Sequence, residues 1–225
     1  MFRRPVIAAV CLGLALLVPA AAPASAAGSC SVTVPSKIAL SSPFKEVKVQ
    51  FSAGCQTNRA WAWWDVVHPT KGPVNYLDYD YETATSRTGS MDVYDWDPLG
   101  TWNVRPQGAY DGNFEPMVQN TTKTVVKLHS RVGLSSSRSG KYVTLTAKPT
   151  AYSPKYETYR PWSSATVKFY YRTSATGSWK LGATRTSNSS GVASARLYAS
   201  TVREFRVVTT ETSGRWGRTS SVIRR

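Results

Sequence analysis

Cys55-Gln-Thr-Asn-Arg-Ala-Trp61-Ala-Trp63-Trp64-Asp65-Val-Val67 is the stretch on which the reading of the chain turns. The cysteine is expected to end one strand, and a short polar turn to follow it. In a strand, successive side chains point to opposite faces. Ala62, Trp64 and Val66 then share one face, and Trp61, Trp63, Asp65 and Val67 the other. Both faces carry tryptophan, so one ring is expected in a core and the others on a second surface. Two readings of Trp61 and Trp63 stand side by side. They are covered rings that extend the core, as aromatic burial favours, or partly exposed rings that stack on a ligand.

Working outward, the chain begins Met1-Phe2-Arg3-Arg4, runs through apolar residues from Val6 to Val18, and reaches Ala24-Ser25-Ala26. A charged start, a short apolar stretch and an A-x-A site describe a cleaved secretory signal peptide over 1–26. The apolar run is too short to span a bilayer. No second long apolar run occurs, so no integral membrane span is expected. Cys11 leaves with the leader, and Cys30 and Cys55 remain. A pair of cysteines in an exported protein reads as one disulfide. Cys30 is in phase with Val32 and Val34, and Cys55 with Val47, Val49 and Phe51, so both thiols face the apolar side. Closing such a loop is worth about 3 kcal/mol.

Charge is divided unevenly. Residues 28–124 hold 8 Lys/Arg and 10 Asp/Glu, whereas 125–225 hold 18 Lys/Arg and 3 Asp/Glu. The basicity belongs to the second half, and such asymmetry points to an anionic partner.

Short alternating runs rich in Val, Thr, Tyr and Trp, punctuated by Gly, Pro and Asn, predict an all-β chain. The first half reads as strands over Ser31 to Val34 with Ile38 to Leu40, Lys45 to Ser52, Ala60 to His68, Asn75 to Glu82, Ser90 to Trp96 and Thr101 to Val104. Polar residues from Gln119 to Lys123 are expected to end that unit. The second half reads as Val125 to Leu134, Lys141 to Lys148, Ala165 to Arg172, Trp179 to Arg185, Val192 to Ala199, Glu204 to Thr210 and Arg215 to Ile223. The length suits two antiparallel sandwiches of about 100 residues each, over 27–124 and 125–225.

Several segments carry a family resemblance. Ser139-Gly140-Lys141-Tyr142-Val143-Thr144-Leu145-Thr146-Ala147, Ala165-Thr166-Val167-Lys168-Phe169-Tyr170-Tyr171-Arg172, Ser178-Trp179-Lys180, Ser190-Gly191-Val192-Ala193 and Phe205-Arg206-Val207 resemble the immunoglobulin-like repeats of secreted actinobacterial proteins. The match covers most of 125–225. Cys55 with the tryptophan strand, and Asp97-x-x-Gly100-x-Trp102-x-Val104, look like a more divergent copy. That copy departs from the antibody pattern: Val104 stands where a second cysteine would sit, and Cys30 lies upstream instead. The resemblance implies two tandem immunoglobulin-like sandwiches, export, and adhesion or accessory binding. It brings no catalytic residues and no cofactor.

His68 and His129 lie one in each half, and Asp65 and His68 fall on opposite faces of a strand, against a hydrolytic triad. No nucleophile-elbow, zincin or P-loop pattern occurs. Asp78, Asp80 and Glu82 share one strand face, with Asp95 and Asp97 on a nearby hairpin. They form a weak calcium candidate and the basis of a small-hydrolase alternative. In a sandwich of this kind the third and sixth strands are neighbours. Lys168, Tyr170 and Arg172 would then lie beside Glu204, Arg206 and Val208, with Arg215 and Arg218 on the flank. Cations interleaved with aromatics suit an anionic polymer, while the alternative is that they keep an exported sandwich soluble. The expected function is a secreted, non-catalytic binding or adhesion protein whose basic second sandwich docks on an anionic envelope or matrix polymer. Nucleic acid enters only as a non-specific polyanion, and wall association is left open. The alternatives are a carbohydrate-binding or enzyme-inhibitor module using Trp61 and Trp63, with a carbohydrate or protein ligand, and the hydrolase.

Overall fold

The alternation read in the tryptophan strand is realised: Ala62, Trp64 and Val66 are fully buried, and Trp61, Trp63, Asp65 and Val67 face outward. The computed structural model describes residues 28–225; the leader expected over 1–26, with Arg3, Arg4 and Cys11, lies outside the described residues. Among the described residues no helix is long and apolar enough to cross a membrane.

The first sandwich comprises β1 (Val32–Thr33), β2 (Lys37–Leu40), β3 (Phe44–Phe51), the helix α1 (Ala53–Thr57), β4 (Trp61–His68), β5 (Gly72–Asp80), β6 (Thr88–Tyr94), β7 (Gly100–Tyr110) and β8 (Thr122–Leu128). Its sheets run β1-β3-β6 and β2-β8-β7-β4-β5. The second sandwich comprises β9 (Ser130–Ser139), β10 (Tyr142–Ser153), β11 (Thr158–Pro161), β12 (Thr166–Arg172), β13 (Lys180–Thr186), β14 (Ala193–Tyr198), β15 (Glu204–Thr209) and β16 (Ile223–Arg224). There β10 pairs with β9, β14 and β11, and the facing sheet runs β13-β12-β15-β16. The chain is a tandem pair of immunoglobulin-like β-sandwiches.

Four local expectations are corrected. Cys55 sits on α1 rather than at a strand end, because Cys55 N–H donates to the Ser52 carbonyl (3.2 Å) and Asn58 N–H to that of Gly54 (3.1 Å). Gly54 lets this turn press against the segment that precedes β1, since a Cβ there would lie 2.1 Å from the Ser29 carbonyl oxygen. The disulfide still forms, with both cysteines buried and their Cα atoms 4.4 Å apart. The expected single strand from Val125 to Leu134 breaks at His129. Its first part is β8, which pairs in parallel with β2 and antiparallel with β7. The strand therefore straddles the expected boundary at 124 and lies wholly in the first sandwich. The polar segment Gln119 to Lys123 is not a domain end but the entry to β8. Finally, Arg215 to Ile223 is mostly loop, since its hydrogen bonds go elsewhere.

Where they go explains the junction. Trp216 N–H donates to the Leu128 carbonyl (3.1 Å), and Leu128 N–H to that of Gly214 (2.9 Å). The Trp216 indole N–H reaches the Ile38 carbonyl of β2 (2.9 Å), and the ring is flanked by Lys37 and Lys127 Nζ, each 4.9 Å from its centre. From the same sandwich Tyr152 of β10 enters the first core, and its hydroxyl donates to Asp95 (2.8 Å). Two buried rings of the second sandwich, Trp216 and Tyr152, thus tie it to the first.

His129 stands at this junction, sharing a 2.7 Å hydrogen bond with the Tyr159 hydroxyl. Burial first, then Arg218, Arg131 and Lys45, holds its pKa below the ordinary 6.5. The unfolded chain therefore binds the proton more tightly than the folded one. The stability contributed by the neutral ring is present above pH 6.5 and is lost as pH falls through the folded value. Thermal unfolding is expected at lower temperature at about pH 5.5 than at about pH 7.5. His129→Asn should flatten that decline; an undiminished decline in the variant would assign it to other groups.

Candidate functional site

The β12–β15 pair builds the surface expected from the sequence. Val167, Phe169, Phe205 and Val207 alternate into the second core and leave their neighbours outside. Register sets Lys168 opposite Val208, Tyr170 opposite Arg206, and Arg172 opposite Glu204. This is the juxtaposition that strand order and parity predicted.

Side-chain contacts change its electrostatics. Arg172 grips Glu204 through two guanidinium nitrogens, Nε and Nη2, each 2.6 Å from Oε2. With both side chains only 20% exposed, Arg172 is a neutralised member of the row. Trp179, just before β13, lies between the two arginines, its ring centre 4.6 Å from the Arg172 and 4.3 Å from the Arg206 guanidinium carbon. Tyr170 adds a second ring 5.7 Å from Arg206. The Arg206 Nε is buried with no hydrogen-bond partner among the described residues. Sequence reading passed over Trp179 as a site residue. The signal was a tryptophan immediately before the strand that borders β12.

Beside this row opens a groove of about 630 Å³ lined by Lys168, Tyr170, Thr210, Glu211, Arg218 and Thr219, among others. The loop after β15 forms one wall. It lies close because residue 217 is glycine: a Cβ there would stand 2.5 Å from the Thr209 carbonyl oxygen. Arg218 is fixed by its own backbone, whose N–H donates to Thr209 Oγ1 (2.8 Å) and whose carbonyl accepts from Thr209 N–H (2.8 Å). The groove's carboxylate, Glu211, is already paired with Lys127 at 2.6 Å. Lys168, Arg206 and Arg218 have no carboxylate partner among the described residues. Arg215 does not join them. Its side chain points to Trp162 at the junction, because Trp216 beside it is drawn onto β2.

The first sandwich resolves its two tryptophans differently. Trp61 is covered, stacked on Phe114 at 5.2 Å and met edge-on by Tyr81 at 4.7 Å. Trp63 is 43% exposed, opposite Asp78 and Gly108 on the neighbouring strands. Trp64 fills the core, its indole N–H donating to the Asn120 carbonyl (3.1 Å).

The calcium candidate is corrected. Asp80 Oδ1 accepts from Glu82 N–H (2.9 Å) and closes a turn, and Asp97 Oδ2 accepts from Tyr94 N–H (2.8 Å). Asp95 is held by Tyr152 at the junction, whereas Asp78 sits beside Trp63. Among the described residues no three His, Cys, Asp or Glu converge on a common point. Asp78 and Asp80, two of the carboxylates named for the hydrolase alternative, line one cavity of about 270 Å³ with Thr83 and Thr88. His68 Nε2 lies 3.2 Å from the Leu99 carbonyl, and His129 is engaged with Tyr159.

No protein-family profile matches the chain, and no curated protein matches it in sequence. Solved structures do. The chicken interferon gamma receptor alpha chain matches at TM-score 0.43 and 14% identity, over 89% of this chain and 98% of that one. Bovine butyrophilin matches at TM-score 0.36 and 9% identity, over 87% and 97%. The D0-D1 domain of intimin matches at TM-score 0.29 and 12% identity, over 88% and 97%. The immunoglobulin-like fold follows from the order and pairing of the strands.

Proposed function

We propose that the protein is an extracellular, non-catalytic binding protein whose second sandwich docks on an anionic polymer of the envelope or surrounding matrix. The observation that carries this reading is the outer face of β12 and β15. Lys168, Arg206 and Arg218, free of carboxylate partners among the described residues, line an aromatic surface of Tyr170 and Trp179. Ion pairing meets the polymer's charge, and the rings offer apolar contact to its backbone. The buried disulfide fits an oxidising, extracellular compartment. A second reading, carbohydrate or protein contact by the first sandwich, is favoured by the exposure of Trp63, with Tyr76 and Tyr110 exposed on the flanking strands.

The test is binding of the full mature chain to a soluble polyanion such as a polyglycerol phosphate, across a salt series. Affinity should fall steeply with salt. The triple variant Lys168→Gln, Arg206→Gln, Arg218→Gln should bind more weakly, with a plot of log affinity against log salt shallower by about 2. Absence of binding at low salt, or an unchanged slope in the triple variant, sinks the proposal and leaves the charge as a solubility feature.

A further inference from the structure

Arg215, expected on the basic sheet face, helps to form a second site. Its guanidinium carbon lies 5.7 Å from the Trp162 ring centre. Arg160 of β11 lies 4.9 Å from the Tyr156 ring centre, and Lys155 Nζ lies 5.3 Å from that same centre. A cavity of about 200 Å³ is lined by both arginines together with Tyr152, Ser153, Tyr156 and Trp162. No carboxylate lines it; Glu157, next in sequence to Tyr156, lies outside the lining. Among the described residues neither guanidinium enters an ion pair. The Tyr152 hydroxyl is already committed to Asp95, so it brings no negative charge to the cavity wall.

The chemistry of the lining narrows the ligand. An arginine presents a planar fork of N–H donors that matches phosphate or carboxylate oxygens. Both forks are held against aromatic rings, which orients them without using their hydrogen-bonding edges. The cavity is smaller than a drug-sized pocket of about 300–1,000 Å³, so it suits one residue rather than a length of polymer. Aromatic faces accept the carbon skeleton of a sugar or polyol by apolar contact. We propose that this junction cavity binds a single anionic sugar or polyol residue, its phosphate or carboxylate between Arg160 and Arg215 and its skeleton against Tyr156. The site is distinct from the basic sheet face, which contributes none of its lining. It also depends on the docked sandwiches, because Trp216 on β2 sets the position of its neighbour Arg215.

The experiment titrates the full mature chain with glycerol 3-phosphate, with glucuronate and with neutral glucose, following the indole N–H resonance of Trp162. The expected result is a saturable shift with at least one anion and none with glucose at equal concentration. The phosphate and carboxylate arms separate the two sources of the charge, and saturation by either supports the site. Arg160→Gln with Arg215→Gln should weaken binding about tenfold or more. The Lys168, Arg206 and Arg218 triple variant should stay within about twofold of the wild type. Both arginines are exposed, so the double variant should melt like the parent, and that melt is measured alongside. No saturation by either anion, an equal response to glucose, or undiminished binding by the double variant would overturn the proposal.

Discussion

Trp216→Ala is expected to convert one cooperative unfolding transition into two and to lower the earlier midpoint. The ring is only 8% exposed, although it sits in a loop between β15 and β16. It is buried against the other sandwich, bonded to the Ile38 carbonyl at 2.9 Å and flanked by Lys37 and Lys127. Truncating a buried tryptophan costs about 3–5 kcal/mol. A domain has only about 5–15 kcal/mol in all, so the loss is large. The Ile38 carbonyl also loses its hydrogen-bond donor, a further penalty where it stays buried. Because the ring joins a loop of the second sandwich to β2 and β8 of the first, its removal should also weaken the coupling between them. Calorimetry of the wild type and variant reads both effects. Trp216→Phe retains most of the packing and forfeits only the hydrogen bond, so it should lose about 1 kcal/mol and keep a single transition. An unchanged single transition in Trp216→Ala would show that the junction does not depend on this ring.

Removing the disulfide should be the next largest effect, and it should be confined to the first sandwich. Cys30 and Cys55 are separated by 25 residues and are both fully buried. Cross-linking a loop of that size removes unfolded-state entropy worth about 3–4 kcal/mol. Cys30→Ala with Cys55→Ala should lower the urea midpoint of the first sandwich, followed through the buried Trp64 and Trp102. The second sandwich, which contains no cysteine, should melt as before once the two are resolved, for example in the Trp216→Ala background. A change below about 1 kcal/mol would mean that the unfolded chain is already compact around this loop.

Period-2 patterning was enough to read most strands and both cores. Trp64, Phe169 and Phe205 fall where parity puts them because one face of each sheet is sealed, and a slip by one residue would expose the whole apolar set. Lys168, Tyr170, Arg206 and Glu204 also met as expected, since parity and strand order together fix which outward residues are neighbours. What failed was reading that depended on hydrogen-bond destinations rather than on pattern. Val125 to Leu134 has the composition of one continuous strand, yet it divides at His129 because β8 pairs with β2 and β7. Nothing local marks that division.

The sequence by itself determined the all-β class, the inward and outward faces, the cysteine pair and the concentration of positive charge in the second half. These follow from side-chain periodicity, thiol number and composition, which are properties of residues in order. Tertiary structure decided which charges remain free. It paired Arg172 with Glu204 and Glu211 with Lys127, placed Trp179 between two arginines, and sent Arg215 to the junction with Arg160. It also covered Trp61 with Phe114 and left Trp63 open. Ion pairs, ring stacks and docked loops join residues that lie far apart in the chain, and the free energy of each contact depends on a distance and a burial that only the assembled sheets define.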